Sequence, residues 1–145
     1  MSISALNYLI GLLARRDYSE YEIRYKMQAK GFSDDDIDHA LLHCQQRNWQ
    51  SDQRFCENYL LARAHKGYGL KRIKQELKLK GITNQTLSLV LEEQEINWQE
   101  LAIACLKKKF PDYHHVNDLK IKQKIWRYMS NHGFETEDFI HLIGK

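Results

Sequence analysis

Slid against itself by 50 residues, the chain lays "RRDYSEYEIRYKMQAKGFSDDDIDHAL" over "HKGYGLKRIKQELKLKGITNQTLSLVL". Tyr18 falls on Tyr68, Ile23 on Ile73, Met27 on Leu77, Lys30 and Gly31 on Lys80 and Gly81, Phe32 on Ile82 and Ile37 on Leu87. A third copy, "IKQKIWRYMSNHGFETEDFIHLI", lies 52 residues beyond the second, setting Ile125 on Ile73, Met129 on Leu77, Gly133 on Gly81 and Phe134 on Ile82. The two extra residues fall in the loop "KKKFPDYHHVND". A period of this length marks a repeat protein, in which a small unit buries the rest of its apolar face against its neighbours.

The punctuation inside each copy predicts three helices. Ser19 and Glu22 form an S-x-x-E capping box, with Tyr18 and Ile23 as its hydrophobic staple, so a helix starts at residue 20. Gly31 supplies the left-handed residue that ends it. Phe32, Ser33, Asp36 and Ile37 repeat the staple and cap for the next helix, as do Ile82, Thr83 and Leu87 in the second copy. In the third, Phe134 and Phe139 keep the staple while Glu135 makes a poor cap. The predicted helices are 4–16, 20–30, 34–47, 52–66, 69–80, 84–95, 98–110, 117–131 and 136–143, and no segment alternates as a strand does. The expected architecture is all-α: three tandem three-helix repeats, 1–50, 51–97 and 98–145, in an elongated curved array.

Composition fits that reading. One proline, seven glycines, 43% apolar and 28% charged residues describe a folded soluble chain rather than a disordered one. Cys44, Cys56 and Cys105 stand far apart without a CxxC pair, so they are expected as reduced, buried thiols. The apolar start "MSISALNYLIGLLARRD" has its basic residues after the apolar run, the wrong order for a signal peptide, and is too short to span a membrane. A cytoplasmic chain is expected, acting as a monomer.

Catalytic chemistry finds little to work with, and no enzyme activity, cofactor or metal is expected. His114 and His115 beside Asp112 are adjacent residues that rarely face one ion, and His39 with His43 lacks the H-E-x-x-H glutamate. The "SDDDID" run at 33–38 coincides with a helix N-terminus, where carboxylates favour the dipole. "HKGYG" lacks the frame of a phosphate loop, and its glycines serve a turn. Trp49, Trp98, Tyr18, Tyr68 and Phe134 fall at repeat junctions, where core packing is expected ahead of base stacking.

Charge is more informative. The net charge of +3 is modest, but residues 1–50 carry 6 basic and 7 acidic groups, whereas 51–97 and 98–145 each carry 8 and 6. "GLKRIKQELKLKGI", 69–82, holds five basic residues around an inward stripe of Leu70, Ile73 and Leu77, leaving Lys71, Arg72, Lys74 and Lys78 to project from the other faces. Arg54, Arg63 and Lys66 on the preceding helix extend this patch. A second group comprises Lys107, Lys108, Lys109, Lys120, Lys122, Lys124 and Arg127. A solvated helix face is the plain reading of each, and a polyanionic or acidic partner is the functional one.

The stretch from Asp52 to Ile82 resembles the most characteristic segment of the RecX family, bacterial regulators of the RecA recombinase. The resemblance is carried by Asp52, Arg54 and Phe55, then Arg63, Lys66, Gly67 and Gly69, then Arg72, Ile73, Glu76, Leu77, Lys80, Gly81 and Ile82. "RRDYSEYEIRYKMQAKGF" is similar to the family's first unit, and "NWQSDQRF" to its link to the second. Leu70 departs from the proline common at that place, which removes a favoured helix-opening residue without changing charge. The resemblance implies a fold of three tandem three-helix units. It also implies a non-enzymatic protein of DNA repair and recombination that binds RecA, lies along the groove of the RecA–DNA filament and limits filament growth, ATP hydrolysis and strand exchange. Contact with DNA itself is the alternative, with RecA regulation secondary. The contact candidates are Arg54, Arg63, Lys66, Lys71, Arg72 and Lys74.

Overall fold

A computed structural model describes residues 3–143, all helix, turn and loop, with no strand among them. The helices are α1 (Ile3–Arg15), α2 (Glu20–Ala29), α3 (Asp34–Gln46), α4 (Asp52–Lys66), α5 (Leu70–Leu79), α6 (Asn84–Gln94), α7 (Trp98–Lys109), α8 (Leu119–Asn131) and α9 (Thr136–Phe139). Single 3-10 turns occupy Tyr113–His115 and Ile140–Leu142.

The caps explain the starts. Ser19 Oγ accepts the Glu22 N–H at 3.2 Å and Glu22 Oε1 accepts the Ser19 N–H at 3.1 Å, the predicted reciprocal box. Ser33 and Thr83 accept the N–H of Asp36 and Thr86, both at 3.1 Å. At α9 it is the Asp138 carboxylate that accepts the Glu135 N–H, at 3.2 Å. The ends repeat as well. The N–H of Phe32, Ile82 and Phe134 reaches back to the carbonyl of Met27, Leu77 and Met129, at 3.1, 3.1 and 3.2 Å, across Gly31, Gly81 and Gly133. Each is the six-to-one bond of a helix closed by a left-handed residue.

The described chain forms two compact units, and the boundaries between them fall inside α4, inside α5 and at the last residue of α6. The first unit, the residues up to Asn58 with Leu77–Glu93, has a core of Ala5, Leu9, Leu12, Tyr18, Ile23, Met27, Ile37, Ala40, Leu41 and Cys44. The second, Tyr59–Glu76 with the residues from Gln94 on, is centred on Ala102, Leu106, Tyr113, Ile125, Met129, Phe134, Phe139 and Ile143.

Three expectations need correction. The loop 110–117 contains a 3-10 turn, because Tyr113 joins the core and is only 4% exposed. The last α-helix ends at Phe139, whose φ of −137° breaks it, and the chain continues as a 3-10 turn. Cys105 is half-buried, in contrast to the fully covered Cys44 and Cys56.

Candidate partner interface

Five of the six contact candidates, Arg63, Lys66, Lys71, Arg72 and Lys74, belong to the second unit, and Arg54 belongs to the first. The three arginines and the three lysines have different surroundings. Arg63 Nε and Nη2 reach the two oxygens of Glu76 at 2.9 and 2.8 Å, a two-point pairing of guanidinium and carboxylate. Tyr59 donates its hydroxyl to the same carboxylate at 3.0 Å, and Arg72 Nε adds a contact at 3.3 Å. Both guanidiniums lie against the ring of Tyr68, 4.0 and 4.2 Å from its centroid. Burial alone would raise the pKa of Glu76, but the hydrogen bonds from Arg63, Tyr59 and Arg72 outweigh it and hold the carboxyl below its ordinary value. The bond to Glu76 in turn holds Arg63 more firmly charged.

Arg72 therefore does not project freely into solvent beside Lys71 and Lys74, as the helical stripe predicts. It is half-buried, and its Nη1 also donates to the Asn131 carbonyl at 3.4 Å. The cause is a close approach in the second unit. The N–H groups of Gly69 and Lys71 donate to the carbonyls of His132 and Gly133 at 2.7 and 3.0 Å. These backbone bonds satisfy first-turn donors of α5, which has glycine where a side-chain cap would stand. A Cβ on Gly133 would collide with Arg72, and one on Gly69 with the Gly133 backbone. The glycines allow the contact, and the contact covers Arg72.

Arg54 is likewise occupied. It donates to the carbonyls of Asn48 and Trp49, both at 2.9 Å, and pairs with Asp17 at 3.4 Å, tying the turn after α3 to the start of α4. Lys66, Lys71 and Lys74, in contrast, are exposed. Lys107, Lys108 and Lys109 end α7, and Lys120, Lys124 and Arg127 stand at i, i+4 and i+7 on α8; all six are exposed, while Lys122 is half-buried. Trp126, 42% exposed, lines an open cleft with Gln123 and Arg127 beside that row.

Trp49 departs from the expectation of junction packing, and a second exposed apolar group was not anticipated. Trp49 is 46% exposed and lines a shallow groove with Ile10, Leu13 and Ala14, because the turn at Asn48, with φ of 59°, carries it off the core. Tyr21, Tyr25 and Leu79 are more exposed still, at 57%, 69% and 79%. Sequence reasoning also passed over Glu76 as the centre of the arginine pairing. Its signal was present in the i, i+4 spacing from Arg72, but nothing local announces Arg63. Among the described residues, no group of three His, Cys, Asp or Glu side chains is placed to hold a metal, and no helix is long and apolar enough to cross a membrane.

Family models of the three RecX three-helix domains match the chain in order, the first over residues 5–44, the second over 51–91 and the third over 95–139. Regulatory protein RecX of Pasteurella multocida is 57% identical over 145 residues, covering 99% of this chain and 88% of the relative. That of Haemophilus influenzae strain PittEE is 54% identical over 146 residues, covering 100% and 96%. A crystal structure of RecX from Lactobacillus salivarius superposes with a TM-score of 0.83 at 19% identity, covering 97% of this chain and 92% of that one, and so shares the fold. A further crystal structure of regulatory protein RecX gives the same score and identity, over 96% and 71%. With all three domain models matched in order and more than half of its residues shared with curated relatives along its full length, the chain belongs to the RecX family of regulatory proteins.

Proposed function

We propose that this protein binds the RecA recombinase on its DNA filament in the cytoplasm and limits filament growth, ATP hydrolysis and strand exchange. It acts without catalysis of its own, by occupying the filament groove. The observation that carries this reading is the full-length 57% identity to a protein named as a RecX regulator. In the site, the lysines Lys66, Lys71 and Lys74 make the contacts, and Arg54, Arg63 and Arg72 hold the helices that present them. Exposed ammonium groups steer and orient an acidic or phosphate-bearing surface more than they add raw affinity. The test is the DNA-dependent ATPase of RecA titrated with this chain. Inhibition at amounts stoichiometric with the filament is expected, and an unchanged rate sinks the proposal.

A second reading, direct DNA binding with RecA regulation secondary, is favoured by the row Lys120, Lys124 and Arg127 beside the exposed Trp126. Lysines spaced along a helix suit phosphates, and an exposed indole suits base stacking. It predicts tight binding to DNA without RecA, with affinity falling steeply as salt rises. Weak binding in the absence of RecA favours the first reading.

A further inference from the structure

Tyr21 and Tyr25 stand one turn apart on α2, and with Glu22, Lys26, Leu79 and Lys80 they line an open cleft of about 380 Å³ within the first unit. The repeat supplies an internal control for their chemistry. Tyr21 aligns with Lys71 and Gln123, Tyr25 with Gln75 and Arg127, and Leu79 with Ala29 and Asn131. Every one of these counterparts is exposed, and all but Ala29 are polar. The fold therefore builds the same positions elsewhere without large apolar side chains. Tyr21 has one packing duty: its Cβ covers Gly81, whose φ of +79° and crowded Cβ side both demand glycine. Tyr25 and Leu79, the two most exposed large apolar side chains of the set, have no such duty in the repeat.

Charge around the cleft selects the occupant. The Glu22 carboxylate is taken up by the Ser19 N–H at 3.1 Å, Lys80 at 3.3 Å and Arg16 at 3.5 Å. Lys26, exposed on the rim, and Lys78, exposed next to Leu79 in the chain, leave the surroundings positive. An apolar centre within a cationic rim fits a protein segment that carries an aliphatic or aromatic anchor flanked by carboxylates. Nucleic acid fits less well. Leu79, the most exposed of the three, offers no ring face to a base, and Lys80 is already engaged with Glu22.

We propose that Tyr21, Tyr25 and Leu79 form the anchoring spot for an acidic segment of a partner protein. On the reading above that partner is RecA, and the proposal rests on that reading. Its test is direct binding of this chain to RecA assembled on single-stranded DNA, comparing the wild type with Tyr25→Ser, Leu79→Ser and the double variant. Leu89→Ser, equally an exposed leucine in the first unit but outside the cleft, is the control. Tyr21 is left in place because it covers Gly81. A loss of about 10- to 100-fold is expected for the double variant, with unchanged helix content and melting temperature. Full affinity in the double variant overturns the docking proposal while the regulatory reading stands. A loss confined to binding of single-stranded DNA alone also overturns it and assigns the cleft to nucleic acid. Failure of the wild type to bind the filament removes the regulatory reading and the docking proposal together.

Discussion

Replacing Glu76 by glutamine isolates what one carboxylate does for the α4 and α5 segments that carry the candidate lysines. The amide keeps the shape but gives up the charge and one of two acceptor oxygens, so Arg63 loses its two-point partner and Arg72 its i, i+4 partner. Hydrogen bonds to a charged group contribute about 1.5–3 kcal/mol each when buried. Here the side chains of Arg63 and Glu76 are 22% and 23% exposed, so solvent screens part of that, and the net cost comes to about 2 kcal/mol. For a chain of this length that lowers the thermal midpoint by about 6 °C, read by circular dichroism at neutral pH. The pH dependence gives an independent handle. Because the Glu76 pKa is lowered in the folded state, its contribution is present above the ordinary value of 4.5 and is lost as pH falls through the folded value. The gap between wild type and Glu76→Gln therefore closes as the solution is acidified below 4.5 and through the lowered folded-state value. Equal stability of the two proteins at pH 7, or a gap that stays constant down to acid, refutes the argument.

Four further outcomes follow from the same geometry. Gly31 and Gly133 share a φ of +95°, but nothing lies within 4 Å of a Cβ on Gly31, whereas one on Gly133 collides with Arg72. Alanine should cost about 1–2 kcal/mol at Gly31 and clearly more at Gly133, measured by urea unfolding. Reversing Lys71 and Lys74 to glutamate should weaken inhibition of the RecA ATPase about tenfold with no change in melting, since both side chains are exposed. The Cys56 thiol, buried and pushed up to about 11 by that burial and by Asp52 and Glu57, should resist alkylation of the native protein at pH 8, with Cys105 modified first. The loss of filament binding in Tyr25→Ser with Leu79→Ser completes the set.

What could be read in one dimension and what could not divides along a physical line. The Ser19 box and the three glycine closures join residues no more than five positions apart, so they were legible, and α2 through α6 begin and end within a residue or so of expectation. The inward stripe of Ile73 and Leu77 was legible for the same reason, since periodicity reports burial. The fate of a particular arginine is settled by a partner far along the chain. Arg63 meets Glu76 13 residues on, Arg72 meets the Asn131 carbonyl 59 residues on, and Arg54 meets Asp17 37 residues back. A basic run in the sequence thus counts charges that the fold has already committed. Lys66, Lys71 and Lys74, with their flexible stems and compact, strongly hydrated charge, remain exposed, and they are the candidates left at the surface.

The backbone bonds from Gly69 and Lys71 to His132 and Gly133 have a consequence for the order in which the molecule can be finished. A ribosome delivers α5 more than fifty residues before it delivers the carbonyls that satisfy the first turn of that helix. Until the third copy emerges, α5 holds a glycine at its start and donors turned to water, a poor nucleus for a helix of ten residues. The middle basic helix therefore reaches its final form only when the end of the chain returns to it. A nascent or truncated protein lacking residues beyond α7 would carry the lysines of α5 without the anchored first turn from which they are presented.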